Sequence, residues 1–276
     1  MKIIQINGEN IAAFEGMMTL EAACYLRYST DTLGYGIDND GKAGGSLVIR
    51  LLEDGRTELM SVFVVPELRR RGYATELFYN AVNVAEINGN HQGIFANYIT
   101  DVNDSQGINA FLRYFDAEIT EKAGERTYLC TLGDIKNIPV IKKSDKRGVI
   151  SYNELSNREK NSLIRDGNEM LPLYMQAGCI DGDVSCFIRK DSRLKACLIM
   201  NRRADGLTLD WVRISKSEPL AFMKLIRYGI DAMMGKYPDE LQIKIPTINL
   251  NSAGLTEKLF KDSAKIVEKS YKTVIQ

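Results

Sequence analysis

The fold is decided by residues 58–74, which read ELMSVFVVPELRRRGYA. The apolar start of this stretch predicts a buried β-strand, and Pro66 ends that strand. A basic loop with Gly72 follows and leads into an amphipathic helix that is predicted over residues 75–87. A glycine at the entrance of a helix leaves the first backbone N–H groups without a capping side chain, at the positive end of the helix dipole. The loop is therefore a candidate anion site that suits phosphate.

The elements on both sides of this loop indicate the class of fold. Period-two alternation predicts strands, and glycine-containing turns join the three strands before the loop, so these strands form an antiparallel meander. The predicted elements are a strand over 2–6, a helical stretch over 9–28, strands over 33–38, 46–52 and 57–65, and, after the loop helix, a strand over 92–99, a helix over 104–115 and a strand over 127–131. The sequence thus predicts an α/β fold of the α+β kind, with a mixed, mostly antiparallel central sheet flanked by helices.

The composition excludes several classes of protein. The chain has 276 residues, of which 45% are hydrophobic and 26% charged, and this is typical of one large globular domain or two small ones. It has neither an apolar run of the ~18 residues that span a bilayer nor a signal-peptide-like N-terminal segment, so no membrane partner is expected. Five cysteines without a C-x-x-C pattern and a single histidine, His91, predict neither a disulfide framework nor a metal site, and they fit a reducing cytoplasm.

Charge divides the chain into two halves. Residues 1–135 carry 11 Lys and Arg against 19 Asp and Glu, a net charge of −8, and residues 136–276 carry the other 25 and 17, a net charge of +8. The second half repeats the predicted order of elements at a spacing of about 140–150 residues. Two domains, residues 1–135 and residues 136–276, are therefore predicted. Because the lysines of the second half are scattered, a nucleic-acid partner is not expected.

The corresponding loop of the second half, residues 213–219, reads RISKSEP and has a different chemistry. It contains no glycine, Pro219 removes one N–H group, and Glu218 places negative charge where a phosphate would lie. The second domain is therefore predicted to lack the phosphate site of the first.

A family resemblance rests on the first loop. The pattern Arg69-x-x-Gly72-x-Ala74, after a meander and before an amphipathic helix, resembles the main motif of the GNAT superfamily of acetyl-CoA-dependent N-acetyltransferases. The later stretch over residues 111–119, FLRYFDAEI, is similar to a second segment of that family, and the resemblance covers about residues 1–133. The second half resembles a GNAT-like unit without the pyrophosphate loop, so the whole chain resembles a tandem pair with a degenerate C-terminal unit.

The resemblance implies an acyltransferase that moves an acetyl group from acetyl-CoA, its co-substrate, to a primary amine by direct attack in a ternary complex. It implies that the end of the fourth strand binds the pantetheine arm and that the loop binds the pyrophosphate. The implied cofactor-binding residues are Phe63, Val64, Val65, Arg69, Arg70, Arg71, Gly72, Tyr73, Ala74, Thr75 and Ser105. The expected partner is an amine-bearing small molecule or protein, and the expected state is a monomer or homodimer in the cytoplasm.

Two positions bear on catalysis. Glu58 lies where some lysine-acetylating members of the family carry a general base, although a solvent-facing strand glutamate is an equal interpretation. The frequent tyrosine acid of the family falls on Leu112, which has no proton to donate. Three functions therefore stay open: an N-acetyltransferase, a non-catalytic acyl-CoA-binding regulatory module, and an interaction protein with a vestigial loop. His91 follows the loop helix and is predicted to be a surface residue.

Overall fold

A computed structural model describes residues 1–102, 105–165, 170–190, 193–215 and 220–275. The chain divides into two compact units. Unit 1 is Met1–Lys122 together with Lys269–Gln276, and unit 2 is Ala123–Glu268. This division differs from the predicted boundary at residue 135, because the strand predicted over 127–131 begins at Glu118 and because the end of the chain belongs to unit 1.

The helices and strands follow the predicted alternation. Up to residue 131 they are β1 (Lys2–Ile6), α1 (Leu20–Tyr28), β2 (Thr32–Asn39), β3 (Lys42–Leu51), β4 (Thr57–Val64), α2 (Tyr73–Ile87), β5 (Ile94–Asp101), α3 (Ser105–Arg113) and β6 (Glu118–Thr131). Beyond it they are α4 (Leu132–Ile135), α5 (Pro139–Lys142), β7 (Val149–Ser151), α6 (Asn157–Arg165), α7 (Met170–Gln176), β8 (Cys186–Lys190), β9 (Arg193–Arg203), β10 (Gly206–Ile214), α8 (Ala221–Met234), β11 (Gln242–Pro246), α9 (Leu250–Phe260) and β12 (Lys265–Ile275).

The sheet of unit 1 has the strand order β1-β2-β3-β4-β5-β12. Neighbours among the first four strands are antiparallel, whereas β4 and β5 are parallel. A parallel pair needs a crossover connection, and α2 supplies it and packs on one face of the sheet. The core on this face includes Leu47, Leu77 and Leu112, none of which has exposed surface.

Unit 2 repeats this plan with the strand order β6-β11-β10-β9-β8-β7. The strands β7 to β10 are antiparallel neighbours, and β10 and β11 are parallel. The crossover helix is α8, whose Leu225 and Ile230 are buried in one cluster with Cys186 and Leu198 of the sheet. The predicted fold class, a mixed and mostly antiparallel sheet flanked by helices, is therefore confirmed, and it is present twice.

The helix predicted over residues 9–28 is shorter in the structure. Two 3-10 turns lie within residues 11–17, and α1 begins only at Leu20. Thr19 caps α1, because its side chain accepts a hydrogen bond from the Ala22 backbone N–H at 3.1 Å. Apolar periodicity alone predicts one helix that continues through residue 19, whereas the threonine cap makes α1 a separate helix that begins after Thr19.

Two further observations bear on the predictions. Residues 216–219, which include Glu218 and Pro219, lie outside the described residues, so the loss of the phosphate loop in unit 2 stays a prediction. Among the helices that the structure describes, none is long and apolar enough to cross a membrane.

Candidate active site

In unit 1, β4 and β5 separate soon after they pair. Both strands have eight residues, but the parallel register joins only Thr57 with Ile94 and Glu58 with Phe95. The register of β4 with β3 shifts at Met60, which forms a β-bulge. A bulge bends its strand and increases the local twist, so it turns β4 away from β5. A gap therefore opens between the two strands beyond Glu58.

The part of β4 that borders this gap is accessible. β4 is an internal strand, yet its four residues Met60, Ser61, Val62 and Phe63 are only half-buried. The ladder to β5 stops at Glu58, so the edge of β4 that faces β5 is open to another hydrogen-bonding partner. An extended ligand with amide groups can pair with such an edge as an added strand.

The loop after β4 forms a helix entrance of the predicted kind. Leu68 anchors the loop, because it is 7% exposed and packs in the core of unit 1. Arg70 and Gly72 have positive φ angles of 63° and 84°, and α2 begins directly after Gly72. Gly72 offers no capping side chain, and a Cβ atom there would meet nothing within 4 Å. The first amides of α2 thus border open space, which suits a bound phosphate.

Arg69 is directed toward β4. Its Nε donates a hydrogen bond to the Val64 carbonyl oxygen at 2.9 Å, and its guanidinium carbon lies 5.7 Å from the centre of the Phe63 ring. The side chain therefore ties the loop to the end of the strand. Arg70 and Arg71 are exposed beside Gly72 and supply positive charge at the helix entrance.

Glu58 lies at the closed end of the gap. It is half-buried, and it stands directly opposite Phe95 of β5 and Arg50 of β3. The neighbouring residue Ile49 of β3 packs in the core beneath α2. Because successive strand residues point to opposite faces, Arg50 and Glu58 lie on the face of the sheet away from α2.

Arg50 belongs to a polar network that sequence reasoning missed. Its Nε donates to Asp31 Oδ2 at 2.9 Å and its Nη1 donates to the Tyr25 hydroxyl at 3.1 Å. Its guanidinium carbon also lies 4.4 Å from the centre of the Tyr25 ring. The available signal was a charged residue inside the apolar strand SLVIRLL, since an arginine within such a strand requires partners.

The Asp31 carboxylate is held in its charged form. Burial raises the pKa of Asp31, but hydrogen bonds from Ser29, Arg50 and Thr32 outweigh burial and hold this pKa below its ordinary value of 3.8. A carboxyl group whose pKa is lower in the folded state stabilises the fold above its unfolded pKa of about 3.9. That contribution is lost as the pH falls through the folded pKa.

We therefore expect Asp31→Asn to lower the thermal midpoint at pH 7 and to reduce the loss of stability on acidification. Thermal unfolding at pH 7, 5 and 3 measures both effects. The exposed loop residue Glu67 provides the control, because Glu67→Gln is expected to leave the wild-type pH dependence unchanged. An Asp31→Asn variant with the same acid sensitivity as the wild type would contradict this account.

The position expected for a tyrosine acid is part of the core. Leu112 has no exposed surface, and Tyr114 two residues later is 67% exposed. The phenol of Tyr98 lies on β5, where its hydroxyl donates to Asn109 Oδ1 at 2.6 Å and its ring stacks on Tyr271 of β12. Burial and the nearby Tyr271 raise the pKa of Tyr98 to about 12, so this phenol keeps its proton at neutral pH.

The remaining predicted residues are placed as follows. Tyr73, Ala74 and Thr75 form the first turn of α2 and are half-buried. Ser105 begins α3, and its side chain lies outside the described part of the chain. His91 is exposed in the connection before β5. Glu58, the end of β4 and the start of α2 thus follow one another along one gap.

Comparison with known proteins identifies the fold. A solved tandem GNAT protein from the clavulanic acid biosynthesis pathway matches with a TM-score of 0.72 at 11% identity, over 100% of this chain and 98% of that chain. A GNAT-family acetyltransferase from Colwellia psychrerythraea matches with a TM-score of 0.59 at 11% identity, over 100% of both chains. No curated protein sequence matches the chain. Both units therefore have the GNAT fold, and the protein has the tandem arrangement.

The sequence of unit 1 identifies the family. Residues 11–115 match the profile of the acetyltransferase (GNAT) family. These residues form a GNAT acetyltransferase domain, so unit 1 contains an acyltransferase domain.

Proposed function

We propose that unit 1 transfers an acetyl group from acetyl-CoA to a primary amine by direct attack in a ternary complex. The proposal is supported above all by the gap between β4 and β5, which ends at a helix entrance without a capping side chain. A strand edge suits the amides of the pantetheine arm, and a helix N-terminus suits the diphosphate. These two features lie one after the other along the chain.

Three sets of protein groups bind acetyl-CoA. The diphosphate accepts hydrogen bonds from the first amides of α2, from Gly72 to Thr75, with Arg70 and Arg71 beside it. The pantetheine amides pair with the open edge of β4 over residues 60–64. A backbone N–H within residues 63–65 donates to the thioester carbonyl oxygen and polarises the carbonyl group.

Glu58 acts as the general base that deprotonates the amine. Its carboxylate accepts a proton from the ammonium group through a water molecule, which frees the nitrogen lone pair. Arg50, opposite Glu58 on β3, is held in place by hydrogen bonds to Asp31 and Tyr25. These polar side chains lie on the face of the sheet where the acceptor binds. The acceptor amine approaches on this face, because α2 covers the other one.

The transfer then proceeds in two steps. The amine nitrogen attacks the thioester carbon, and the resulting oxyanion is held by the backbone N–H near the end of β4. The C–S bond breaks, the nitrogen gives its remaining extra proton to a water molecule in the gap, and CoA leaves as a thiolate. Leu112 has no proton to give, so water that enters the gap protonates the thiolate.

The cytoplasmic location and the monomeric or dimeric state remain part of this proposal and rest on the sequence alone.

The experiment that tests the proposal combines binding and turnover. Calorimetric titration with acetyl-CoA is expected to show one site per chain, and a panel of primary amines is then screened for release of free CoA. Binding without turnover on any amine would favour the regulatory module, and the absence of binding would contradict both functions.

Glu58→Gln is expected to lower kcat by roughly 10²–10⁴-fold, which is the usual contribution of a general base, and to leave acetyl-CoA affinity unchanged. The amide keeps the size of the side chain but cannot accept the proton. Glu53 lies in an exposed turn near the start of β4, and Glu53→Gln is the matched control with wild-type kcat. A Glu58→Gln enzyme with full kcat would remove Glu58 from the mechanism.

A further inference from the structure

Strand pairing places a positive charge next to Glu58. In the antiparallel register of β3 with β4, Arg50 is the residue directly opposite Glu58. Residues that stand opposite each other in such a pair have Cβ atoms about 4.5–5.5 Å apart, which is within reach of long side chains. On its other side, Glu58 stands beside Phe95 of β5, which carries no charge. Arg50 is therefore the charged residue that the sheet itself brings to the Glu58 carboxylate.

The Arg50 guanidinium is held by partners from two other elements. Its Nε donates to Asp31 Oδ2 at 2.9 Å, just before β2, and its Nη1 donates at 3.1 Å to the hydroxyl of Tyr25 on α1, a helix that also packs against β4. Asp31 Oδ1 in turn accepts from the hydroxyl groups of Ser29 at 2.5 Å and Thr32 at 3.0 Å. A planar guanidinium that is bound at Nε and at one Nη has a defined orientation, so its charge stays at one place on this face.

A second arginine near Glu58 is more exposed. Arg56 lies just before β4, and its Nη2 is 2.7 Å from Asp54 Oδ2. The hydrogen bond to Asp54 raises the pKa of Arg56, and the charge of Glu58 raises it further. The side chains of Arg56 and Asp54 are 51% and 50% exposed. Those of Arg50 and Asp31 are 23% and 34% exposed. Because water and salt screen exposed charges, Arg50 acts more strongly on Glu58 than Arg56 does.

We propose that Arg50 is a positioning residue, which holds the Glu58 carboxylate in its charged form and in one orientation beside the gap. The inference rests on the role proposed for Glu58 in deprotonating the amine. A nearby cation favours the ionised carboxyl group, which is the form that accepts a proton. Asp31 limits this effect, because its negative charge lies next to the same guanidinium. The pair of Arg50 and Asp31 therefore sets the pH above which unit 1 is active.

The two members of this pair have opposite expected effects on the pKa of Glu58. Arg50→Gln removes the cation and leaves the Asp31 carboxylate, so the pKa of Glu58 is expected to rise by about one pH unit or more. Asp31→Asn removes the anion and leaves the Arg50 cation, so the pKa of Glu58 is expected to fall. Two side chains that merely supported the fold would not shift this titration in opposite directions.

Carbon-13 NMR titration of the glutamate carboxyl groups in the labelled full-length protein measures this pKa. The Glu58 resonance is identified by its absence from Glu58→Gln. Arg50→Lys keeps the charge and is expected to stay close to the wild type. Arg27 of α1 is partly exposed and pairs with Glu15 at 2.5 Å, so Arg27→Gln is the matched control with an unchanged Glu58 titration. An unchanged pKa in folded Arg50→Gln would overturn the proposal. If that variant does not fold, a pKa in Asp31→Asn at or above the wild-type value would do so.

Turnover provides a second readout. The low-pH limb of the kcat/KM profile is expected to move to higher pH in Arg50→Gln and to lower pH in Asp31→Asn, by the shifts that NMR measures. A loss of kcat at every pH with an unmoved limb would show a purely structural role and contradict the proposal. Full kcat in Glu58→Gln would instead contradict the general-base role of Glu58, and the carboxyl titration, which needs no turnover, would still decide whether Arg50 acts on that carboxylate.

Discussion

Gly72→Val is expected to abolish acetyl-CoA binding in calorimetric titration while unit 1 stays folded. Gly72 has a φ of 84°, a left-handed conformation that β-branched residues adopt only with strain of about 1–3 kcal/mol. Valine therefore shifts the backbone at the start of α2, where the proposed diphosphate needs several amides aligned at once. Its side chain also fills the open space beside those amides.

The opposite end of the same helix provides the control. Gly89 has a φ of 87°, and a Cβ atom there would also meet nothing within 4 Å. Gly89→Val thus introduces comparable strain at a comparable surface position, and it is expected to bind acetyl-CoA as the wild type does. Equal loss of binding in both variants would show that strain in α2, and not the helix entrance, is responsible.

Ile275→Asp is expected to destabilise unit 1 by about 3 kcal/mol or more and to remove acetyl-CoA binding with it. Ile275 is 7% exposed and packs in the core of unit 1, although it lies at the far end of the chain. The substitution removes apolar burial and places a carboxylate in the core. Chemical unfolding monitored by circular dichroism, together with calorimetric titration, measures the two effects.

The neighbouring residue on the same strand separates burial from charge. Val274 is 52% exposed, so Val274→Asp adds the same charge on the solvent side of β12. It is expected to change the free energy of unfolding by less than about 0.5 kcal/mol. If Ile275→Asp retained full stability and binding, the last strand would not be an integral part of unit 1.

The strand, loop and helix around Gly72 could be predicted from the sequence because the signals for them are local. The strand before it, the proline that ends the strand, the glycine and the amphipathic helix lie within residues 58–87, and the structure has a strand, a turn and a helix in that order. Periodicity also predicted the strand that follows and the repetition of the plan in the second half. The helix over residues 9–28 was overextended because the cap at Thr19 is a side-chain hydrogen bond that periodicity does not record.

The candidate site could be predicted only in part from the sequence. Glu58 was selected from the sequence, but its neighbour Arg50 was not, because their proximity results from the register of β3 with β4. The bulge at Met60 likewise has no local signal, since it is defined by two strands together. The same holds for Asn201 in unit 2, which is an ordinary polar residue in the sequence and, in the fold, a buried amide without a hydrogen-bond partner among the residues that the structure describes.

By itself, the sequence determined the class of fold, the order of the elements, the duplicated plan and the helix entrance at Gly72. These depend on alternation, capping and backbone freedom within about a dozen residues. Only the tertiary structure decided that the chain's last strand completes unit 1, where the Thr273 hydroxyl donates to the Glu118 carbonyl oxygen 155 positions away. It alone decided where the parallel strands part and which residues meet there, because strand pairing joins segments that no local pattern connects.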